Sequence, residues 1–242
     1  MNMREYREAY NGEIAFKEAM MRYWSVREVD SLIIVDAGAN KGAYSQRITE
    51  LFAGLPYRLY AFEPVHASFT QLEQKLKDHP QVNLFNIGLG EKTEMLTIFA
   101  NHASSELASL YVRDMNSLSV QMQPLEQVQI RNFSEVWAEQ QLPKIHFLKI
   151  DTEGHELSIL RAIHEKIEQQ KIDIIQFEFG TTIESRTFMK DFFDLLGKHY
   201  RMYRLLKDGL FPLPSYYPDY EVFVLGNYIA VSRKINDFPE SF

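Results

Sequence analysis

Apolar and polar positions alternate along this 242-residue chain in blocks of two kinds. Short, dense apolar runs read as buried strands over Leu32–Asp36, Arg58–Phe62, Val82–Ile87, His146–Ile150 and Ile172–Phe177. Between them, helix-like stretches fall near Ala43–Phe52, Ser68–Asp78 and Glu156–Gln169. A further helix over Ser185–Lys198 leads to strands near Arg201–Leu206 and Tyr228–Ser232. Strand and helix in turn predict a mostly parallel sheet with helices on both faces, an α/β fold.

Two regions break the rhythm. In the opening 24 residues Tyr6, Ala9, Tyr10, Phe16, Ala19, Met20 and Tyr23 fall roughly on one helical face. Residues 1–30 are therefore expected to form a helical extension packed on a single domain over 31–242, with a substrate lid or dimer contact as the other reading. From Met95 to Pro143 the alternation is less regular. "MLTIF" and "VQI" suggest short strands, and "SEVWAEQQ" a short helix capped by Ser134. Ser104–Pro124 has no firm period and reads as a long loop or flap.

Composition narrows the classes. Lys plus Arg is 26 against 33 for Asp plus Glu, a formal charge of -7. That balance argues against a nonspecific hold on nucleic acid or anionic membrane. There are no cysteines, so disulfides, thiolate metal sites and cysteine nucleophiles are excluded. No run approaches the ~20 apolar residues of a membrane span, and the charged N-terminus lacks a signal-peptide core. A cytoplasmic location is the expectation.

The first strand runs straight into chemistry: "LIIVDAGANKGAYSQRI". Gly38 and Gly42 mark a strand-to-helix turn, where ligands bind in open parallel sheets. A dinucleotide site would read G-x-G-x-x-G, but here the spacing is Gly38-Ala39-Asn40-Lys41-Gly42. Asp36 at the strand tip would also repel phosphates. A cationic nucleoside such as S-adenosylmethionine suits an acid there. "AFEP" places Glu63 and Pro64 at the second strand's end, where an acid accepts hydrogen bonds from ribose hydroxyls. The third ends in Asn86-Ile87-Gly88, by topology near an adenine. Asn86 would bond the base edge or Ile87 pack on its face; a plain Asn-Gly turn is the alternative.

"IHFLKIDTEGHELSIL" is the second informative segment. Lys149 and Asp151 point the same way by period-two alternation. Asp151 and Glu153 follow at a strand tip facing the presumed site, and Glu156 suits the first turn of a helix. "VDAGANKG", "AFEP", "LKIDTEGHEL" and "IIQFEFG", in this order, resemble the FkbM family of S-adenosylmethionine-dependent methyltransferases over roughly Leu32 to Ser232. The resemblance implies a Rossmann-like class I sheet of seven strands, the last antiparallel, and O-methylation of sugars or other hydroxyl-bearing metabolites. Asp36, Gly38, Asn40 and Gly42 match the family's cofactor turn, Glu63 its ribose-binding acid, and Lys149, Asp151, Glu153 and Gly154 its later signature. Glu178 matches the acid closing strand five.

The reaction expected is methyl transfer to a small-molecule or glycan hydroxyl. Asp151 is the first candidate base, Glu153 or Glu178 the second, and Lys149 the group that holds or polarises them. Ala39 and Gly88 join the expected cofactor contacts. The three carboxylates could offer oxygen ligands to Mg²⁺, but no metal-ligand motif is present, so no metal belongs to the expected site. His155 reads as a surface or capping residue. "FPLPSYYPDYEVF" (Phe211–Phe223) suggests a rigid aromatic loop, for packing or for stacking on an acceptor. Two readings compete: a catalytically silent nucleoside-binding module of the same fold, and an NAD-dependent oxidoreductase, which Asp36 and the glycine spacing disfavour.

Overall fold

The computed structural model describes residues 12–113 and 121–242. Tyr6, Ala9 and Tyr10 of the expected N-terminal face, and residues 114–120 of the expected flap, lie outside the described residues. The elements in chain order are α1 (Glu13–Ser25), β1 (Leu32–Ala37), α2 (Ala43–Leu51), β2 (Tyr57–Phe62), α3 (His66–Leu76) and β3 (Val82–Phe85). Three short strands follow, β4 (Gly88–Gly90), β5 (Glu94–Ala100) and β6 (Gln123–Asn132), then α4 (Phe133–Glu139) and β7 (Ile145–Ile150). The chain continues through α5 (Glu156–Ala162), α6 (His164–Glu168), β8 (Ile172–Phe179) and α7 (Met189–Leu196) to β9 (Tyr200–Leu206), β10 (Gly209–Leu213) and β11 (Gly226–Ser232).

Eight strands form the main sheet in the order β10-β9-β11-β8-β7-β1-β2-β3. The five from β8 to β3 are parallel, and β11 inserts antiparallel between β8 and β9. The expected seven strands are present with β11 reversed, and the eighth is β10, taken from the start of the supposed aromatic loop. The central strands β1 and β8 are buried along their whole length. Flanked on both sides and covered on both faces, they have no solvent side to which a polar alternation could point.

Two apolar layers sandwich the sheet. One carries Phe133, Trp137, Leu157, Leu160, Phe192 and Leu196 from the helices on one face. The other carries Phe16, Met20, Tyr23 and Trp24 of α1 with Ile48 and Phe52. Of the residues expected on that face, Phe16, Ala19, Met20 and Tyr23 lie in α1 and are buried. The stretch expected as one helix over Glu156–Gln169 is two, broken at Ile163, whose backbone leaves the helical region. Asn132, not Ser134, caps α4: its side chain accepts from the backbone N–H of Glu135 at 3.1 Å. The cap falls two residues earlier because Asn132 ends β6 in an extended conformation, which a cap residue needs. "MLTIF" and "VQI" do form strands, β5 and β6, which pair with β4 in a separate three-stranded sheet.

Candidate functional site

The C-terminal tips of β1, β2, β7 and β8 surround one cavity of about 860 Å³. Its first wall is the turn from β1 into α2. Gly38 stands there with φ 83°, and a Cβ on it would fall 1.9 Å from the carbonyl oxygen of Asp151. Only glycine permits the tips of β1 and β7 to meet this closely. Asn40 follows with φ 50° and gives its backbone N–H to Glu63 Oε2 at 2.8 Å. Val65 N donates to the other oxygen of Glu63 at 2.8 Å. Burial pushes the Glu63 carboxyl up to about 7, against the pull of those two N–H donors. Ala39, Asn40, Glu63, Pro64 and Gly88 all line this wall.

Asp36 does not. Its side chain is 1% exposed and lies beneath the cavity wall. The strand runs one residue further than the pattern suggests, to Ala37, so Asp36 is inside the sheet rather than at its tip. There it accepts from Ser45 Oγ at 2.6 Å and sits 3.5 Å from the Nζ of Lys149, its register partner on β7. Gly42 is also off the cavity. Its φ of 78° starts α2, and a Cβ there would meet Leu72 Cδ1 at 2.7 Å, so it serves the contact between α2 and α3. Asn86 points away from the cavity and donates from Nδ2 to the carbonyls of Glu63 and Pro64 at 2.9 and 3.1 Å. It pins the turn that carries Glu63. Ile87 packs on the main core, and neither residue is on the cavity lining.

The second wall comes from the tips of β7 and β8. Lys149 Nζ lies 3.1 Å from Asp151 Oδ2 and 4.5 Å from the centre of the Tyr44 ring. Burial pulls its pKa down, but Asp151 and Asp36 more than reverse this, so the net shift is upward and the ammonium is fixed. Lys149 Nζ thus lies between the carboxylates of Asp151 and Asp36. Asp151, Glu153 and Glu178 converge, with one carboxylate oxygen from each within 4.8 Å of the others. Burial pushes Glu153 up to about 7, Asp151 adds to this, and its ion pair with Arg113 opposes it. Burial and the neighbouring acids raise Glu178 well above the ordinary carboxylate range.

Two more residues of this segment take defined places, His155 against its expected exposure and Glu156 in the expected first turn. His155 is neither exposed nor a side-chain cap; its Nδ1 lies 3.2 Å from Tyr111 Oη, and burial lowers its pKa to about 4. Glu156 is fully buried and turns back to accept from Thr152 N at 2.8 Å, Thr152 Oγ1 at 3.0 Å and Gly154 N at 3.1 Å. It staples the loop that carries Asp151 and Glu153.

A segment that showed no period closes the cavity. Leu107, Ala108 and Leu110 line it, Ser109 Oγ donates to the Glu153 carbonyl at 2.7 Å, and Arg113 donates to the Leu107 carbonyl at 2.8 Å while pairing with Glu153. Arg113 and Tyr44 are site residues that pattern reading missed. Nothing local marks Arg113 as the partner of an acid 40 residues on. Tyr44 reads only as a helix position, yet its hydroxyl donates to Gln176 at 2.9 Å beneath the site. From the other side, Glu13 at the start of α1 reaches the cavity and accepts from Gln176 Nε2 at 2.8 Å. Of the aromatic run, Phe223 lines the cavity, while Tyr216 and Tyr220 pack on Phe193.

Comparison with known proteins agrees with this architecture. "Methyltransferase 1" of Beauveria bassiana (strain ARSEF 2860) is 25% identical over 154 residues, 57% of this chain and 60% of that protein. The crystal structure of methyltransferase FkbM from Methylobacillus flagellatus KT superposes with a TM-score of 0.53 at 14% identity, over 88% of this chain and 47% of that one. The chain thus spans about half to three-fifths of the length of these relatives. The methyltransferase FkbM domain matches residues 36–211, from the buried acid of β1 to the edge strand β10. The chain therefore belongs to the FkbM methyltransferase family, and its cavity lies at the tips of that family's Rossmann-like sheet.

Proposed function

We propose that the protein transfers a methyl group from S-adenosylmethionine to a hydroxyl of a small-molecule or sugar-containing acceptor. One observation carries this reading: the backbone N–H of Asn40, placed where a dinucleotide would seat its phosphates, is already given to the carboxylate of Glu63. A carboxylate held in that place repels polyanions and accepts ribose hydroxyls and cationic groups. The residues fit a nucleoside without phosphate: Glu63 for the ribose, the Gly38 turn for close backbone approach, and the acids at the tips of β7 and β8 for positive charge. Asp36 contributes from below, through Lys149, rather than by contact.

S-adenosylmethionine supplies a methyl already activated on a sulfonium. The chain's part is to align the acceptor hydroxyl with it. The Gly38 turn and Glu63 would hold the donor, whose sulfonium would keep the electron pair of the methyl bond it gives up to the acceptor oxygen, while a carboxylate of the chain would take the hydroxyl proton. Alignment is worth roughly 7–11 kcal/mol, and the base about 10²–10⁴ in rate. Asp151 is the first choice for the base, because its carboxylate is the most exposed of the three and is oriented by Lys149. Arg113 and the segment around Leu107 form part of the cavity wall.

Calorimetry with S-adenosylhomocysteine against NAD tests the donor. Binding of the first at micromolar Kd, weakened at least tenfold by Glu63→Ala, is expected; a preference for NAD overturns the reading. Transfer of labelled methyl to hydroxyl acceptors, reduced about 10²-fold or more by Asp151→Asn, tests the chemistry.

A further inference from the structure

The acids at the tips of β7 and β8 are more than a base and its neighbours. We propose that Asp151, Glu153 and Glu178 form a binding site for one oxygen-preferring divalent cation of the Mg²⁺ or Mn²⁺ class.

The first argument is spacing. Two oxygens on one ion lie at most twice the metal–oxygen distance apart, about 4.1 Å for Mg²⁺ and about 4.8 Å for a larger ion such as Ca²⁺. One oxygen from each acid already lies within 4.8 Å of the other two. At least two of the three pairs would be cis on an octahedral ion, about 2.9 Å apart, so the acids draw together by up to about 2 Å when an ion binds. The donors are all carboxylates, which selects hard ions over those that prefer imidazole or thiolate.

The second argument is independent of the clustering. Glu178 is 9% exposed, lines the cavity, and its Oε2 has no hydrogen-bond partner. Buried polar atoms are nearly always satisfied, and a buried carboxylate oxygen without a donor is costly. The cations at hand do not remove the need. Arg113 is committed to Glu153 and to the Leu107 carbonyl. Lys149 is shared between Asp151 and the buried Asp36. Among the described residues, Arg113 and Lys149 are thus already engaged by other carboxylates.

The backbone is built to bring the ligands together. Glu153 has φ 56° and Gly154 φ 110°, a left-handed pair that turns the chain sharply after β7 and aims Glu153 back toward β8. Glu156 holds that turn from beneath. In the methyl-transfer reading proposed above, the ion's remaining positions receive acceptor oxygens. The site then favours acceptors with two adjacent oxygens, such as a vicinal diol, over those with an isolated hydroxyl.

The experiment is a titration of the full chain, stripped with EDTA, with MnCl₂, read by calorimetry and by the loss of free Mn²⁺ signal in electron paramagnetic resonance. One ion per chain with Kd of about 10⁻⁴ M or tighter is expected, and Glu178→Gln and Asp151→Asn should each weaken it at least tenfold. Circular dichroism and thermal unfolding of the same variants show that they are folded. No Mn²⁺ binding by the wild type overturns the proposal, as does binding that both folded variants retain. If S-adenosylhomocysteine binds and Mn²⁺ does not, the donor assignment stands and the cation site falls. Mn²⁺ binding without S-adenosylhomocysteine binding supports the cation site and removes the donor assignment.

Discussion

Two buried acids, Glu156 in the first turn of α5 and Glu178 at the tip of β8, lie beside the same cavity and are held in opposite ways. Glu156 is fully buried with backbone and hydroxyl donors on both its oxygens, all from the loop it follows. Glu178 is almost as buried, yet Oε2 faces no donor. Burial raises the pKa of both, but at Glu156 the loop N–H groups oppose it, while at Glu178 three neighbouring acids add to it. A buried carboxylate with a full set of donors is architecture. One left short amid like charges is a site held ready for a positive ligand.

Removing the first acid should cost most. Glu156→Ala leaves the N–H groups of Thr152 and Gly154 without acceptors, and should destabilise the fold by about 3–4 kcal/mol in denaturant unfolding. A loss below ~1 kcal/mol would erase the distinction from Glu178.

Glu63 stands between the two cases, with two backbone donors but a place on the cavity wall. Its folded pKa of about 7 lies above the ordinary 4.5. The stability it contributes is therefore complete below about pH 4.5 and is lost as pH rises through 7. The stability of Glu63→Gln relative to wild type should accordingly grow by about 3 kcal/mol between pH 4.5 and pH 8. Parallel thermal or denaturant curves at the two pH values would show that the donors alone set its charge.

The smallest effect has the opposite sign. In EDTA at pH 8, Glu178→Gln should leave stability unchanged or raise it by about 1 kcal/mol, because it removes a repelled charge from a buried position. A loss comparable to that of Glu156→Ala would mean that Glu178 is also architecture.

What the sequence revealed follows the same division. The parallel strands were legible because a central strand buried on both faces leaves a continuous apolar run, as in Leu32–Ala37 and Ile172–Phe179. Glu63, Lys149, Asp151, Glu153 and Glu178 were legible because charged residues ending such runs are out of place in a core. The place of Asp36 was not, because one further strand residue, Ala37, decides between tip and interior. Asn86 and Gly42 carry the composition of ligand-binding turns but spend it on the Glu63 turn and on Leu72. β5 and β6 were legible only at their centres, because their small sheet buries few positions, among them Ile98, Val128 and Ile130. Arg113 resisted because its partner is chosen by the fold alone.

The contact of Gly38 with the Asp151 carbonyl has a mechanical consequence. Asp151 N also donates to the Ala37 carbonyl at 3.0 Å, so the tips of β1 and β7 are held together at more than one point of backbone. No side chain fits between them, and because close-packed atoms do not compress, a methyl group added at Gly38 would have to wedge the two strand ends apart.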